Sequence, residues 1–392
     1  MLKVIVFFLA VLIAFLDYRA YKRLVCEKVG KVALNLFIGI VSFSYLLISG
    51  TPFLMFFFIN EENNSTMMLL SMSILTLYLI MSICRLIIYI FWLPTKRKGY
   101  LYTGIIISSL ALIFSLYSIF VTRTDYKINR IELTFDNLPL AFDNYRIVFV
   151  SDIHIGSMFN AEEELTSVKE IISSLNADVV MFGGDLVNIY SSELSDGYLD
   201  ILSSIKGQDK TIAVYGNHDT GVYSREVKDS IDDSEKLELK LRIESAGWVL
   251  LADSTVYLYR GNDSIAVTGI DYTQELVNHK HSLNAINDYP VSHIYENVPE
   301  NCFGITLSHL PQLWYALCDG GYSDLTLSGH IHGMQFNVMG FSPAMFMYDE
   351  WSGLYERDGK KLYINDGIGS VGFIARIGAR PEITVIDLKY QK

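Results

Sequence analysis

Side chains that can bind metal ions follow directly after a series of predicted buried strands. Five of the eight histidines take such positions, in segments rich in Gly, Ser, Asn or Asp. A single histidine there is usually an ordinary loop residue, but five of them with two aspartates and an asparagine are hard to explain by packing. Carboxylates and imidazoles bind hard-to-borderline divalent metals, and the lack of cysteine in these segments argues against a structural zinc site. The residues are Asp152, His154, Asp185, Asn217, His218, His309, His330 and His332.

Alternating strands and helices must position these residues. Short apolar runs at residues 145–150, 179–182 and 211–215 are typical of buried strands, and each leads into a polar segment. Helical patterns at residues 160–175 and 193–205 separate them. This βαβαβ order predicts parallel strands with crossover helices. Ligands bind beyond the carboxyl ends of such strands, which is where the polar residues stand.

The second half of the chain contains more predicted β structure. Two of its strands lead into Ser308-His309 and Gly329-His330, as in the first half. The glycines in these segments permit tight turns and close backbone approach. At the start of the first predicted helix, Asn160 followed by Glu163 resembles a capping box. Further strands are predicted at residues 131–135 (an edge strand), 248–251, 255–259, 264–269, 305–307, 325–327, 361–364 and 382–388.

The ordered motifs resemble those of the calcineurin-like metallophosphoesterases. They are Asp-x-His at 152–154, Gly-Asp at 184–185, Gly-Asn-His-Asp at 216–219, Ser-His at 308–309 and Gly-His-x-His at 329–332. The resemblance covers roughly residues 128–390, and the tail further resembles a bacterial subgroup of membrane-associated phosphodiesterases. It implies an α/β fold, a sandwich of two mixed β-sheets flanked by helices.

The resemblance also implies two divalent metal ions, with manganese favoured and iron or zinc as alternatives. A metal-bridging hydroxide would attack phosphorus, and Asp185 would be the bridging ligand. His218 would stabilise the transition state and protonate the leaving oxygen. One metal would be held by Asp152, His154, Asp185 and His332, and the other by Asp185, Asn217, His309 and His330.

Two residues depart from the family pattern. Asn188 stands where some relatives carry an aspartate that orients the catalytic histidine, and a neutral amide supports an imidazolium less well. Met334 stands where the subgroup often has glycine, and it is expected to narrow the site entrance. Arg376 and Arg380 lie in the tail, where a phosphate contact is only a guess. Asp219 is expected at the surface or behind the ligands.

Long uncharged runs at residues 32–59, 66–84 and 99–122 predict membrane-spanning helices, because about 20 apolar residues cross a bilayer. A shorter run at residues 4–16 is interpreted as a fourth span, with a signal-peptide core as the alternative. The predicted organisation is a transmembrane region at 1–123 and a catalytic domain at 124–392. The predicted helices are at about 2–18, 32–59, 66–92 and 100–122.

Charge separates the two regions and indicates orientation. Residues 1–122 hold 10 basic and 4 acidic residues, whereas the remainder holds 21 basic and 39 acidic ones. The basic loops at 19–31 and 96–98 are expected on the cytoplasmic side, which places the acidic domain outside the cytoplasmic membrane. Such an acidic domain argues against nucleic acid as a partner.

Two features are left with alternatives. The stretch at residues 334–347 is rich in Met and Phe and is expected mainly as core, with an apolar lip over the site as the alternative. Cys302 and Cys318 are favoured as free thiols over a disulfide.

The sequence therefore predicts a membrane-anchored, metal-dependent phosphoric ester hydrolase acting on a phosphodiester or pyrophosphate, with a lipid-linked substrate favoured. One alternative is a cytoplasm-facing sugar-nucleotide–lipid pyrophosphohydrolase. The other is a non-catalytic membrane sensor or transporter. A transporter usually carries ionisable residues within its membrane spans, and the predicted spans have none away from their ends, which disfavours this alternative. The substrate and the oligomeric state are left open.

Overall fold

The computed structural model describes residues 83–224, 230–279 and 286–391, together with the single residues 12, 15, 16, 19, 20, 22 and 73. The chain divides into two compact units. One comprises Met1–Phe120 with Gly372–Ala375, and the other comprises Val121–Val371 with Arg376–Lys392.

The described part of the first unit contains two helices, α1 (Ile83–Thr95) and α2 (Lys98–Phe120). The apolar segment that includes α2, Lys98–Thr124, has 27 residues and contains an 18-residue stretch with a mean hydropathy of 2.3. Among the described residues, it alone forms a helix long and apolar enough to cross a membrane. It corresponds to the span predicted at 100–122. The spans predicted at 2–18 and 32–59, and most of the one at 66–92, lie outside the described residues.

The second unit is built on two six-stranded sheets. The first has the order β1-β12-β2-β3-β4-β5 and the second the order β10-β11-β9-β8-β7-β6. The strands are β1 (Lys127–Phe135), β2 (Arg146–Val150), β3 (Val179–Phe182), β4 (Lys210–Val214), β5 (Val249–Leu251), β6 (Ser254–Arg260), β7 (Asp263–Gly269), β8 (Gly304–Leu307), β9 (Leu325–Ser328), β10 (Gly353–Arg357), β11 (Lys360–Ile364) and β12 (Glu382–Tyr390).

Both sheets are mixed. In the first, β2 to β5 run parallel, while β12 pairs antiparallel with β2 and parallel with β1. In the second, β7, β8, β9 and β11 run parallel, and the edge strands β6 and β10 are antiparallel to their neighbours. The parallel strands put their carboxyl ends at one edge of each sheet, so the loops after them can form a common site.

Alternating side chains give the unit two apolar layers. Ile147 and Phe149 of β2 pack in a core that also contains Ile305 of β8, so this layer lies between the two sheets. The intervening residues of β2, Val148 and Val150, pack instead with residues of the flanking helices. A period of two along the strand thus divides one short apolar run between two cores. The predicted sandwich of two mixed sheets flanked by helices is confirmed.

The helices of this unit are short, and one detail of their capping differs from expectation. The backbone N–H of Asn160 donates to Glu164 at 3.1 Å, whereas Glu163 accepts only from the Asn160 side chain. The predicted Asn160–Glu163 capping box is therefore wrong, because Glu164, buried against Arg123, takes that role. The helices are α3 (Ala161–Ser174), α4 (Asp196–Ser203), α5 (Asp233–Ser245), α6 (Gln274–Asn278) and α7 (Trp314–Asp319).

Most predicted strands agree with the structure to within a few residues. The predicted edge strand begins at Lys127 rather than at 131 and pairs along its whole length with β12. One strand, β10, was not predicted, because it is a half-exposed edge strand with a mixed composition. Among the described cysteines, Cys302 and Cys318 are free thiols, as the sequence favours.

Candidate metal centre

Loops that follow the strands of both sheets bring the predicted ligands together. Asp152 and His154 follow β2, Asp185 follows β3, and Asn217 follows β4. From the second sheet, His309 follows β8, and His330 and His332 follow β9. Apart from His330, which is slightly more exposed, all of these side chains are buried.

The first group of donor atoms comes from Asp152, His154 and His332. The two Nε2 atoms of His154 and His332 lie 3.2 Å apart. The Nε2 atom of His332 is 3.1 Å from Oδ1 of Asp152, and that of His154 is 3.5 Å from Oδ2 of Asp185. One ligand atom from each of the three residues lies within 4.8 Å of the others. Such close approach of donor atoms suits a shared cation between them.

The second group centres on Asp185, Asn217, His309 and His330. The Oδ1 atom of Asn217 is 2.9 Å from Nε2 of His309 and 2.9 Å from Nδ1 of His330. The Oδ2 atom of Asp185 is 3.2 Å from the same Nε2 atom of His309. The Nδ1–H of His309 donates to the carbonyl of Gly183 at 2.7 Å, which fixes the ring and directs Nε2 towards the cluster.

Burial and mutual attraction set the charges in the cluster. Burial would raise the pKa of Asp185, but the attraction of His309 and His218 outweighs burial and holds that pKa well below its ordinary value. Burial would lower the pKa of His309, yet Asp185 raises it to about 9. Burial lowers the pKa of His154 to about 3, and burial with repulsion from His309 lowers the pKa of His330 to about 3. The ionised carboxylate of Asp185 and the neutral imidazoles of His154 and His330 suit a divalent metal, whereas His309 would have to lose a proton to bind one.

The donor set fits two neighbouring divalent ions. Asp185 contacts residues of both groups, so its carboxylate would be shared by two bound cations and would offset part of their charge. Oxygen and nitrogen donors without sulfur are typical of manganese, iron or zinc in such centres. The described residues thus bring together all seven predicted ligands.

The backbone of this centre is unusual as well. Several of the predicted ligands have positive φ, a left-handed conformation that costs on the order of 1 kcal/mol or more for a non-glycine residue. Neighbouring glycines make room for them: a Cβ on Gly216 would collide with Asp185, and one on Gly329 would collide with Asp152. The residues and their φ values are Asp152 (54°), His154 (45°), Asp185 (57°), His330 (75°) and His332 (54°).

Comparison with known families agrees with this geometry. The family model for calcineurin-like phosphoesterase matches residues 145–334, a segment that contains all seven candidate ligands. The chain contains a calcineurin-like phosphoesterase domain. It is accordingly a metal-dependent phosphoric ester hydrolase, as the motifs predict.

Bacterial relatives support the same assignment. The chain is 28% identical to the metallophosphoesterase YkoQ of Bacillus subtilis, over 71% of this chain and 97% of the relative. It is 25% identical to the phosphodiesterase YaeI of Escherichia coli, over 62% of this chain and 82% of the relative. It is 23% identical to the UDP-2,3-diacylglucosamine pyrophosphatase LpxG of Chlamydia muridarum, over 68% of this chain and 90% of the relative.

His218 of the phosphoesterase domain lies beside both groups of ligands. Its ring packs edge-on against that of His154, with the centroids 4.8 Å apart. Its Nδ1–H donates to the backbone carbonyl of Asn188 at 2.6 Å. The Asn188 side chain, at the position of the orienting aspartate in some relatives, is buried without a hydrogen-bond partner among the described residues, and the main chain of Asn188 contacts the ring instead. Burial also lowers the pKa of His218.

Asp219 organises the loops, a role that the sequence only partly indicates. Its buried carboxylate accepts from the backbone N–H of Asp185 at 2.7 Å, Leu186 at 2.8 Å, Val187 at 3.2 Å and Gly216 at 2.8 Å. These four bonds join the loop after β3 to the loop after β4. Asp219 therefore holds the proposed bridging ligand in place from behind, without facing the donor cluster itself.

Tyr223 is a site residue that the sequence did not reveal. Its hydroxyl accepts from Nδ2 of Asn217 at 3.0 Å, so the amide oxygen of Asn217 faces the histidines. Its ring stacks on His218 with the centroids 4.3 Å apart. Tyr223 therefore positions a candidate ligand and the candidate catalytic histidine at once. It stands six residues beyond Asn217, outside any recognisable motif.

The tail after β11 closes the domain around His332. Arg376 is fully buried, and its guanidinium donates to the carbonyls of Asp366 and Gly369 while lying 3.3 Å from Nδ1 of His332. Arg380 donates to the backbone and side chain of Asp125. Both guanidinium groups thus make contacts within the protein, and Arg376 is best described as a residue that positions His332.

The Met- and Phe-rich stretch after His332 differs from the main expectation. The sequence favoured core, but Val338, Met339, Phe341, Met345, Phe346 and Met347 are all exposed. The buried residues of the stretch are Gln335, Ser342 and Ala344, and none of them is a Met or a Phe. The core interpretation is therefore wrong for most of this stretch, which forms an apolar surface.

Substitution of Tyr223 tests its positioning role. Tyr223→Phe keeps the ring but removes the acceptor for Asn217, so we expect Mn²⁺ binding to weaken about tenfold, with near-normal kcat at saturating metal. Tyr223→Leu also removes the stack on His218 and should lower kcat. Isothermal titration with Mn²⁺ and steady-state kinetics measure the two effects. The exposed Tyr259→Phe is the matched control, and unchanged Mn²⁺ affinity in Tyr223→Phe would contradict the role.

Proposed function

We propose that the domain, assigned to residues 124–392, hydrolyses a phosphodiester or pyrophosphate at a centre of two divalent metal ions. The observation that carries this proposal is the convergence of seven buried or nearly buried donor side chains from the loops of two sheets. In the proposed allocation Asp185 is shared. One ion is held by Asp152, His154, Asp185 and His332, and the other by Asp185, Asn217, His309 and His330.

The chemistry follows from where these residues lie. Two divalent ions, when bound, activate water and offset the charge that develops at phosphorus during an in-line displacement. The protein fixes the ligands through backbone contacts, such as those of Gly183 with His309 and of Asp219 with the Asp185 loop. His218, held by the carbonyl of Asn188, is proposed to donate a hydrogen bond or a proton to the leaving oxygen.

Asp185→Asn tests the shared ligand. The amide keeps the shape of the carboxylate but loses its charge, so both ions lose their common anionic ligand. We expect the metal content after desalting to fall and turnover of bis-p-nitrophenyl phosphate to drop about a thousandfold or more. Inductively coupled plasma mass spectrometry reports the metal. The exposed Asp136→Asn serves as the control, and an active Asp185→Asn enzyme would overturn the two-metal proposal.

We further propose a lipid-linked substrate and a membrane-anchored enzyme. The apolar helix in Lys98–Thr124 precedes the domain directly, and the apolar surface of residues 338–347 follows the candidate ligand His332. The acidic balance of the domain is poorly suited to a soluble polyanion. A relative named for a lipid-containing pyrophosphate, LpxG, points in the same direction.

A comparison of two substrates tests the lipid preference. Purified chain with Mn²⁺ is assayed on a lipid-linked diester or pyrophosphate and on soluble bis-p-nitrophenyl phosphate, in detergent and in liposomes. We expect kcat/KM in liposomes to favour the lipid-linked substrate about tenfold or more, because each buried methylene contributes about 0.8 kcal/mol. Equal or faster turnover of the soluble ester in both media would count against a lipid substrate.

Two versions of this proposal place the domain on different sides of the membrane. The basic loops favour a domain outside the cytoplasmic membrane, whereas a sugar-nucleotide–lipid pyrophosphohydrolase would need its domain in the cytoplasm. We expect a C-terminal alkaline phosphatase fusion, which is active only outside the cytoplasm, to be active. An inactive phosphatase fusion with a fluorescent C-terminal green fluorescent protein fusion would support the cytoplasmic alternative instead.

A further inference from the structure

The apolar stretch beyond His332 forms a surface that the phosphoesterase centre does not use. We define the apolar loop as residues 338–347. Met339 is 102% exposed and Phe346 is 76% exposed, and four further large apolar side chains of the loop are also exposed. No charged residue occurs between 333 and 348. Such an apolar surface is unusual where a protein is exposed to water, and it marks a site of interaction.

A hydrogen-bonded turn forms the first part of this loop. Val338 and Phe341 exchange backbone hydrogen bonds of 3.0 and 3.1 Å around a two-residue turn. Both central residues of the turn, Met339 and Gly340, have positive φ. Asparagine or glycine normally takes the first of these positions, so an exposed methionine there is unfavourable for the backbone. Met339 is fully exposed, so packing of its side chain within the loop does not offset this cost.

The loop is also tied to the metal centre. Ser342, fully buried, donates to the carbonyl of Gly333 at 2.8 Å and accepts from the N–H of Ala344 at 3.1 Å. Gly333 is the neighbour of the candidate ligand His332. The bond to Gly333 thus ties the loop to the residue that follows His332. The exposed apolar side chains of the loop can therefore contact a substrate that approaches the site.

We propose that the apolar loop inserts into the surface of a lipid bilayer. The chain itself supplies the reason for choosing a bilayer, since only Asp125 and Tyr126 separate the apolar segment Lys98–Thr124 from β1. An uncharged loop offers no ion pair to a protein partner, whereas Met and Phe side chains partition into the acyl boundary. The loop would bring a lipid-linked phosphoester to the centre, and in this respect the inference rests on the proposed function.

Tryptophan fluorescence of the full chain in liposomes tests the contact without requiring activity. Phe346→Trp places a reporter in the loop, and Leu140→Trp places one at a similarly exposed position that precedes β2, at the sheet edge opposite the site. The emission of the wild-type chain is subtracted. With lipids brominated in their acyl chains, we expect the added emission of Phe346→Trp to be quenched at least about twofold more than that of Leu140→Trp. Equal quenching of the two, as expected if the loop instead docks a protein, would overturn the proposal.

A second variant tests the use of the contact. In Met339→Ser/Phe346→Ser we expect the KM for a lipid-linked substrate in liposomes to rise about tenfold, with turnover of bis-p-nitrophenyl phosphate unchanged. A parallel loss on both substrates would show that the loop shapes the metal centre, and would overturn the proposed use. Quenching by brominated lipid in a chain that hydrolyses no phosphoester would support the bilayer contact while removing the proposed function.

Discussion

The arrangement of the domain depends on the buried carboxylate of Asp185, which needs partners from both sheets. Its Oδ2 atom faces His309 and His154 at 3.2 and 3.5 Å, and its Oδ1 atom accepts from the N–H of His218 at 2.8 Å. A charge taken out of water needs such partners, because unpaired it would cost several kcal/mol. The partners come from both sheets, so the sandwich must bring the strand ends of the two sheets together before this carboxylate can stay ionised.

The local backbone follows from the same requirement. The ligand residues sit where a strand ends and the chain turns at once, and several adopt left-handed conformations to aim their side chains inwards. Asp219 helps to hold this arrangement by binding four backbone N–H groups around the Asp185 and Gly216 turns. The strain is therefore balanced by hydrogen bonds and by packing, which is common at functional sites.

The strands and the ligands could be predicted because they depend on local patterns. A buried run such as Val179–Phe182 is continuous in sequence, and the polar residue after it is in the same segment. The residues that support the ligands are different. Tyr223, Arg376 and the carbonyl of Asn188 act through contacts that exist only after distant or irregular segments have folded. Asn188 illustrates the difference: it stands at the position of an orienting aspartate, but its main-chain carbonyl contacts His218 and its side chain does not.

The Met- and Phe-rich stretch is exposed rather than part of the predicted core for a related reason. Composition measures how apolar a segment is, but whether it is covered depends on the elements packed against it, and the tight turn at Met339 projects its side chain away from the domain. The apolar runs of the first third raise the same question, and there the answer depends on length. A helical segment that contains 18 residues with a mean hydropathy of 2.3 can match a bilayer, whereas a ten-residue loop can only lie at its surface.

The environment of His218 bears on which phosphoester the centre would hydrolyse best. Its Nδ1–H meets a neutral carbonyl rather than a carboxylate, and burial lowers its pKa. Burial disfavours the imidazolium, and the carbonyl stabilises it less than an aspartate would, so a smaller fraction of the ring is protonated and able to donate to the leaving oxygen. The rate of hydrolysis falls least for leaving groups that are already weak bases, because they need little protonation. A phosphate released from a pyrophosphate is a much weaker base than an alkoxide released from an alkyl diester, and the pyrophosphate is therefore the better match among the two substrate classes proposed.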